Sequence, residues 1–243
     1  MKTKQKVYTG STKILYKTPE EHTLIMAFTD YFKTEDGNIL NISGKGALNN
    51  NLSSFIMHKL DMIGIENHFI DKLNMREQLI QLVEVFPVQA SVSIIACGRY
   101  VTEFGIEEGY VFDHPVIDFK IKNSILRYPV VNEHQILSFD WLSYDDIKQV
   151  KKQTIRVFDF LTGFFAAAGI RLIECTLEFG KVYDGEEFVV MIVDEISIDN
   201  CKLWDMNTNE KLGIEALRDN PENATEMCKN IMSRISGIIS DYN

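Results

Sequence analysis

A run of carboxylates follows an apolar segment late in the chain. In the sequence VDEISIDNCKLWD, residues 193–205, the acids are Asp194, Glu195, Asp199 and Asp205. Carboxylate oxygens can bind a hard cation such as Mg²⁺, but carboxylates at a strand end also often only face solvent. The local pattern alone leaves both interpretations open.

Glu178 and Asp194 are predicted to approach each other. Segments 170–180 and 186–195 flank a turn at Asp184-Gly185, which is typical of a β-hairpin. Each acid stands where its strand leaves an apolar core, so the two carboxylates can converge. Because Mg²⁺ is commonly held by one or two carboxylates together with nucleotide phosphates, the pair is a candidate metal site.

A glycine turn near the N-terminus is a second candidate. Residues 10–13, Gly-Ser-Thr-Lys, lie between the predicted strands KVYTG and KILYKT. A lysine after such a turn can contact phosphates, although the turn is shorter than the GxxxxGK[ST] phosphate loop. A plain hairpin is the other interpretation.

Three helices are predicted around these candidates. Apolar residues at three- and four-residue spacing over 52–63 indicate a helix that ends at Gly64. A second helix starts at Ser143, with Asp146 three residues on, and stops at Gly169. A third covers about 223–239. With further strands in HTLIMAFTDYF, HFIDKL and LIQLVEVFPVQASVSIIACG, the chain is predicted to be α+β.

Composition excludes several classes of protein. The 243 residues are 45% hydrophobic, enough for a large core, and the formal net charge of −10 argues against a nucleic-acid surface. The apolar runs are too short for the roughly 20 residues that cross a bilayer, so no membrane contact is expected. The cysteines are far apart with no CxxC pair, which predicts free thiols and a cytoplasmic protein: Cys97, Cys175, Cys201 and Cys228.

Several motifs, taken in order, resemble those of SAICAR synthetase (phosphoribosylaminoimidazole-succinocarboxamide synthetase). They are GSTKILY, GKGALNNNLSSFIMHKL, GIENHFI, GIEEG, KNSILRYPVVNE, LEFG, VDEIS and KLWD, spread from about residue 7 to 218. The resemblance implies a cytoplasmic ligase of purine biosynthesis that uses ATP and Mg²⁺. It would join carboxyaminoimidazole ribonucleotide (CAIR) to aspartate through an acyl phosphate.

The resemblance also implies a fold and roles for individual residues. The fold would be a small, mostly β nucleotide lobe, residues 1–86, on a larger α+β substrate and metal lobe, residues 87–243. Family members are commonly oligomeric, so a homodimer is one expectation. By resemblance, Gly10 and Lys13 would contact the ATP phosphates, Val85 would line the adenine site, and Lys122 would lie near the nucleotide. Glu178 and Asp194 would bind the metal. Lys13 and Asp199 would be catalytic, and Asp199 and Arg218 would lie near the ribonucleotide.

The chain departs from the family pattern on the substrate side. Ser93 stands where the family has an arginine that would hold the substrate, and Arg99 stands where it has a serine. The guanidinium of Arg99 either replaces that arginine or lies on the surface. Lys202 replaces a family arginine, so the positive charge is kept but the planar guanidinium, which can donate two parallel hydrogen bonds, is lost. Family lysines are replaced at three further positions, by Ser11, Thr176 and Ile214.

Three hypotheses follow from these observations. The first is an active synthetase whose substrate site comprises Ser93, Arg99, Lys202 and Arg218. The second is a protein that keeps the fold, and nucleotide binding with it, but has lost ligase activity. The third is an ATP-dependent ligase for another carboxylic acid. We favour the first, with CAIR, aspartate and ATP as small-molecule partners.

Overall fold

The computed structural model describes residues 5–34 and 37–240, which form an α+β structure with two main sheets. A five-stranded antiparallel sheet has the order β1-β2-β3-β7-β6. Its strands are β1 (Lys6–Thr9), β2 (Lys13–Lys17), β3 (Thr23–Phe28), β6 (Phe69–Lys72) and β7 (Glu77–Gln81). A separate hairpin is formed by β4 (Tyr31–Lys33) and β5 (Ile39–Asn41).

The second sheet is larger and carries most of the predicted site residues. Its order is β10-β9-β8-β11-β13-β14, with β12 also paired to β11. The strands are β8 (Glu84–Ile95), β9 (Val111–Ile121), β10 (Val130–Val131), β11 (Ile170–Tyr183), β12 (Phe188–Val193), β13 (Cys201–Asp205) and β14 (Lys211–Leu212). The pairing of β11 with β12 confirms the predicted hairpin.

The three predicted helices are present, and three shorter helices were not predicted. They are α1 (Lys45–Met62), α2 (Arg99–Thr102), α3 (Glu133–Ser138), α4 (Tyr144–Ala167), α5 (Gly213–Asp219) and α6 (Ala224–Ser240), with a 3₁₀ turn at Pro221–Asn223. At the start of α4, the Ser143 side chain accepts from the Asp146 N–H at 3.1 Å and Asp146 accepts from the Ser143 N–H at 3.0 Å. Within the described residues, no helix has the length and apolar character needed to cross a membrane.

The two faces of the large sheet differ in chemistry. Helix α4 packs on β11 and β8, against the face that carries buried side chains such as Val92, Cys175 and Leu177. Residues directly opposite each other on antiparallel strands share a face. The register Asp118↔Ser91↔Thr176 therefore puts these polar residues together on the other side. We call this side the polar face.

Helix α1 belongs to the core of the large sheet. A small core under the five-stranded sheet contains Leu24, Met26, Phe28 and Ile80. The apolar side chains of α1, in contrast, lie in the same buried cluster as those of β8, β11 and α4. The chain passes from the first sheet to the second between β7 and β8, so the residue 86/87 boundary that the resemblance implies falls inside β8. The lobe division itself stays a prediction.

Candidate active site

Lys13 connects the small sheet to the segment after β12. As the first residue of β2, it reaches Asp194 with its ammonium and donates to Glu195 Oε1 at 3.0 Å. Burial disfavours the charged form, but Asp194, Glu195 and Glu178 outweigh that effect and raise the pKa of Lys13. The ammonium therefore stays charged, and it holds the glycine turn against the hairpin.

Glu195 is a buried anchor rather than a free acid. Only 3% of its side chain is exposed. It accepts from Thr12 Oγ1 at 3.0 Å, from Lys13 and from Ser197 Oγ at 2.5 Å. Burial opposes ionisation, but the charges of Lys13 and Lys45 and the hydrogen bonds from Ser197 and Lys13 lower the pKa of Glu195. Its oxygens are used to fix the loop that follows Asp194.

Glu178 and Asp194 come together as the hairpin predicts. Glu178 pairs in register with Val193, the residue before Asp194, and accepts from Lys122 Nζ at 2.5 Å. Asp194 adopts a left-handed backbone, φ 69°. Burial raises the pKa of Glu178, the charge of Asp194 raises it further, and Lys122 offsets this only in part. The two like charges therefore repel each other at the end of the hairpin.

His68 supports the backbone at this point. Its ring is buried, and burial lowers its pKa to about 4, so the imidazole is neutral at pH 7. Its Nε2 lies 2.8 Å from the Asp194 carbonyl oxygen. Since a carbonyl can only accept, Nε2 carries the proton and donates it. His68 thus fixes the backbone of Asp194 without using its carboxylate, one oxygen of which contacts Lys13.

The carboxylate pair suits a hard cation that brings other ligands with it. Two repelling carboxylates are an oxygen donor set of the kind that Mg²⁺ prefers. Among residues 5–34 and 37–240, no group of three His, Cys, Asp or Glu side chains is placed to hold a metal. Such a cation would therefore complete its coordination with phosphate or water oxygens.

Asp199, which the resemblance implies to be catalytic, lies in a closed contact with α1. Its Oδ2 contacts Lys45 Nζ and accepts from Asn49 Nδ2 at 2.7 Å. The Lys45 side chain is 0% exposed and that of Asp199 is 7% exposed. Burial raises the pKa of Asp199, and Lys45 offsets this only partly. This pair ties the start of α1 to the loop that begins at Asp194.

Ser93 lies on the polar face but its hydroxyl is already engaged. The residue is 1% exposed, and its Oγ lies 2.7 Å from the Ile95 carbonyl oxygen and 3.0 Å from that of Ile173. These contacts hold the end of β8 against β11. A hydrogen bond donated by Ser93 to a substrate would require its proton to leave these carbonyl oxygens.

Arg99 reaches the same face from α2. It donates to Asp118 Oδ2 at 2.8 Å and pairs with Glu103 at 3.1 Å, while its guanidinium carbon lies 5.2 Å from the centre of the Phe104 ring. Because Asp118 shares a row with Ser91, the guanidinium lies over the polar face. Two carboxylates already surround this one cation.

Lys202 and Arg218 lie in different surroundings. Lys202 donates to Glu174 Oε2 at 3.1 Å, and its Nζ lies 3.4 Å from the thiol of Cys97. Arg218, on α5, lines an open cavity of about 600 Å³ whose wall also includes Leu40 and Lys211. The structure does not bring Arg218 into contact with the Lys13 cluster.

The remaining predicted ATP residues are near the junction of the two sheets. The Gly10 N–H donates to the Lys13 carbonyl at 2.9 Å and closes the tight turn before β2. Val85, 45% exposed, pairs with Gly180 at the start of β8. A Cβ at Gly180 would lie 2.5 Å from the Glu84 carbonyl oxygen, so only glycine fits where these strands cross.

The sequence reasoning missed several charged residues that the structure brings together. Lys45 belongs to the motif GKGALNNNLSSFIMHKL and Glu195 to the acidic run at residues 194–205, but the sequence predicts no role for either. Lys120 was not singled out, although alternation along β9 places it on the same face as Asp118. Alternation was the one local signal that could have found it.

Comparison with known proteins agrees with the fold and the motifs. The SAICAR synthetase family matches residues 6–235 of the chain. A phosphoribosylaminoimidazole-succinocarboxamide synthase from Rickettsia bellii (strain OSU 85-389) is 60% identical over 232 residues, 96% of this chain and 98% of that protein. These matches extend over nearly the whole chain.

Solved structures give the same result. The phosphoribosylaminoimidazole-succinocarboxamide synthase of Ehrlichia chaffeensis superposes with a TM-score of 0.91 at 35% identity, covering 96% of this chain and 98% of the other. A SAICAR synthetase in complex with ADP gives a TM-score of 0.88 at 30% identity, covering 95% of this chain and 97% of the other. The chain therefore belongs to the SAICAR synthetase family.

Proposed function

We propose that this protein is an active SAICAR synthetase that joins CAIR and aspartate, with ATP converted to ADP and phosphate. The observation that carries the proposal is the cluster at the hairpin end. There Lys13 contacts Asp194 and Glu195, and Lys122 contacts Glu178. Family membership agrees with this assignment, as does ADP binding by a relative with the same fold.

The nucleotide would lie where the two sheets meet. Lys13 and the turn at Gly10 would contact its phosphates, Lys122 would lie beside them, and Val85 would line the adenine pocket. Glu178 and Asp194 would hold Mg²⁺, which when bound neutralises part of the phosphate charge. A lysine that stays charged can stabilise the same oxygens during phosphoryl transfer.

The chemistry requires two successive transfers at one carboxylate. The CAIR carboxylate attacks the γ-phosphorus, ADP leaves, and an acyl phosphate results. The amine of aspartate then attacks the acyl carbon, phosphate leaves, and an amide forms with loss of a proton. The cations of the cluster lower the cost of bringing these anions together, in a protein with a net charge of −10.

On the substrate side, we propose that Lys202, Arg99 and Arg218 contact the ribonucleotide or the aspartate. Ser93 supports this side through its backbone contacts, and Asp199 acts through the loop that it fixes. Cytoplasmic location and a homodimer remain proposals. Light scattering during size exclusion would test the second, since a homodimer should have about twice the chain mass of 27.9 kDa.

The decisive experiment is turnover by the purified protein. ATP, Mg²⁺, CAIR and aspartate should yield ADP and SAICAR in equal amounts, with no SAICAR when any one is omitted. Asp194→Asn should weaken Mg²⁺-dependent ATP binding by about tenfold or more in calorimetry. Lys151→Met, which removes an exposed lysine paired with Glu133 on another surface, is the matched control.

Two results would overturn parts of this proposal. Absence of SAICAR with all four components present would contradict the activity, whether or not ATP binds. Equal heats of ATP binding for the native protein and Asp194→Asn would contradict the metal assignment alone.

A further inference from the structure

Two lysines on the polar face share one buried carboxylate. Lys120 Nζ lies 3.5 Å from Glu174 Oε1, and Lys202 Nζ lies 3.1 Å from Glu174 Oε2. The three side chains come from β9, β13 and β11 and are 19%, 18% and 11% exposed, respectively. Glu174 therefore holds two ammonium groups close together, and both keep some access to solvent.

The reach of Lys120 depends on two small neighbours. Lys120 is in register with Gln89 and Glu178. Glu174 lies four residues before Glu178 on β11 and is in register with Ser93. The row between them carries Ser91 and Thr176, whose hydroxyl oxygens lie 2.7 Å apart. Larger residues there would block the lysine, so their small size lets it extend along the sheet towards Glu174.

The charge balance separates this cluster from that of Arg99. Lys120 and Lys202 provide two positive charges against the single negative charge of Glu174. Arg99 provides one positive charge against two carboxylates, Asp118 and Glu103. Each ammonium has three N–H donors, and Glu174 cannot use them all. Of these two clusters, only the lysine pair has positive charge left over for an anion.

The position of the pair suggests which anion it binds. Four residues along β11 separate Glu174 from Glu178, which corresponds to about 13 Å at 3.3 Å per residue. A ribonucleotide whose carboxylated base lies at the Glu178 end would extend its phosphate along the polar face to the other end. A phosphate dianion is also the most highly charged group that this substrate offers.

We infer that Lys120, together with Lys202, binds the 5′-phosphate of the ribonucleotide substrate, with Glu174 as the residue that positions both lysines. This rests on the proposed function for the identity of the substrate. Lys120 thus becomes a substrate-specificity residue, and the positive charge of the site comes from β9 as well as from β13.

Calorimetry with CAIR alone tests the inference without requiring turnover. Lys120→Met should weaken CAIR binding by about tenfold or more, as expected for loss of a charge-assisted contact, and should leave ATP binding within about twofold. In turnover, the KM for CAIR should rise more than kcat falls, and the KM for aspartate should stay nearly constant. Lys151→Met should match the native protein throughout.

A charge relocation distinguishes binding from a merely structural role. Lys120→Thr combined with Thr176→Lys moves the ammonium from β9 to β11, two strands away on the same face, beside Glu174. CAIR affinity should recover to within about threefold of native, and Lys120→Arg should retain most of it. Thermal unfolding of each variant verifies folding, so a folded variant with weak binding remains informative.

Three results would overturn the inference. They are undiminished CAIR affinity in folded Lys120→Met, a rise in the KM for aspartate in place of CAIR, and no CAIR binding by the native protein. Undiminished affinity with continued SAICAR formation would leave the proposed function intact. Normal CAIR binding without SAICAR formation would contradict that function and keep Lys120 as an anion-binding residue.

Discussion

Replacing Lys45 by methionine should destabilise the protein strongly. The substitution keeps the length of the side chain and removes the charge that faces Asp199. Both side chains are almost fully buried, at 0% and 7% exposed, so water cannot replace the lost partner. Breaking a buried ion pair from one side typically costs about 3–5 kcal/mol. That is a large part of the 5–15 kcal/mol that stabilises a typical domain.

The loss should depend on pH in a defined direction. Burial already raises the pKa of Asp199 in the folded state, and removal of Lys45 raises it further. An acid with a raised folded pKa binds more protons when folded, so stability falls as pH rises. The loss of unfolding free energy in Lys45→Met should be complete at pH values above the pKa of Asp199 in the folded variant. It should shrink as pH falls towards the unfolded value of about 3.9.

Urea unfolding followed by far-ultraviolet circular dichroism would measure these differences at several pH values. Lys45→Met combined with Asp199→Asn removes both charges and should be less destabilised than Lys45→Met alone, with a coupling energy of about 1–3 kcal/mol. A loss below about 1 kcal/mol for Lys45→Met, with no pH dependence, would refute the buried pair. Activity measured on the same variants would show whether Asp199 acts on substrate or only through the loop.

Three further outcomes are expected. Gly180→Ala should lower the free energy of unfolding in urea by about 1–3 kcal/mol, because its Cβ would overlap the Glu84 carbonyl of β8. Gly163→Ala, in open space on α4, should instead stabilise the protein by up to about 1 kcal/mol. Equal effects of the two variants would contradict the close crossing of β8 and β11. Asp30 is partly buried, which opposes ionisation, but hydrogen bonds including those from Arg76 lower its pKa. The native protein should therefore have a higher free energy of unfolding than Asp30→Asn above about pH 4, and this difference should be lost at lower pH. Urea unfolding at a series of acidic pH values would measure it. Arg99→Ala should weaken CAIR binding by at most about tenfold in calorimetry, because two carboxylates already surround this partly exposed cation; a larger loss would make Arg99 the main anion contact.

Local signals predicted much of the fold. The start of α4 was predictable because Ser143 and Asp146 satisfy each other's backbone N–H groups within four residues. The β11–β12 hairpin was predictable for a similar reason, since its turn and both strands are contiguous in sequence. The convergence of Glu178 and Asp194 followed directly from that hairpin.

The contacts that define the site were less accessible from the sequence. Lys45 and Asp199 are separated by 154 residues and Lys13 and Glu195 by 182, so no local period connects them. The same holds for Lys120, which reaches Glu174 from a non-adjacent strand across a row of small residues. Family resemblance supplied roles for single positions, but which cation faces which carboxylate depends on tertiary packing.

The acidic run at residues 194–205 shows how differently four carboxylates can be used. Asp205 accepts from the backbone N–H groups of Asn207 and Thr208 and from Arg234, and so closes the turn after β13. Glu195 and Asp199 each face a lysine and are 3% and 7% exposed, which commits them to holding the loop. Asp194 also contacts Lys13, but it is 25% exposed, and its backbone carbonyl is fixed by His68. A metal that arrives with a nucleotide needs an accessible oxygen on a rigid backbone, and within this run only Asp194 combines the two.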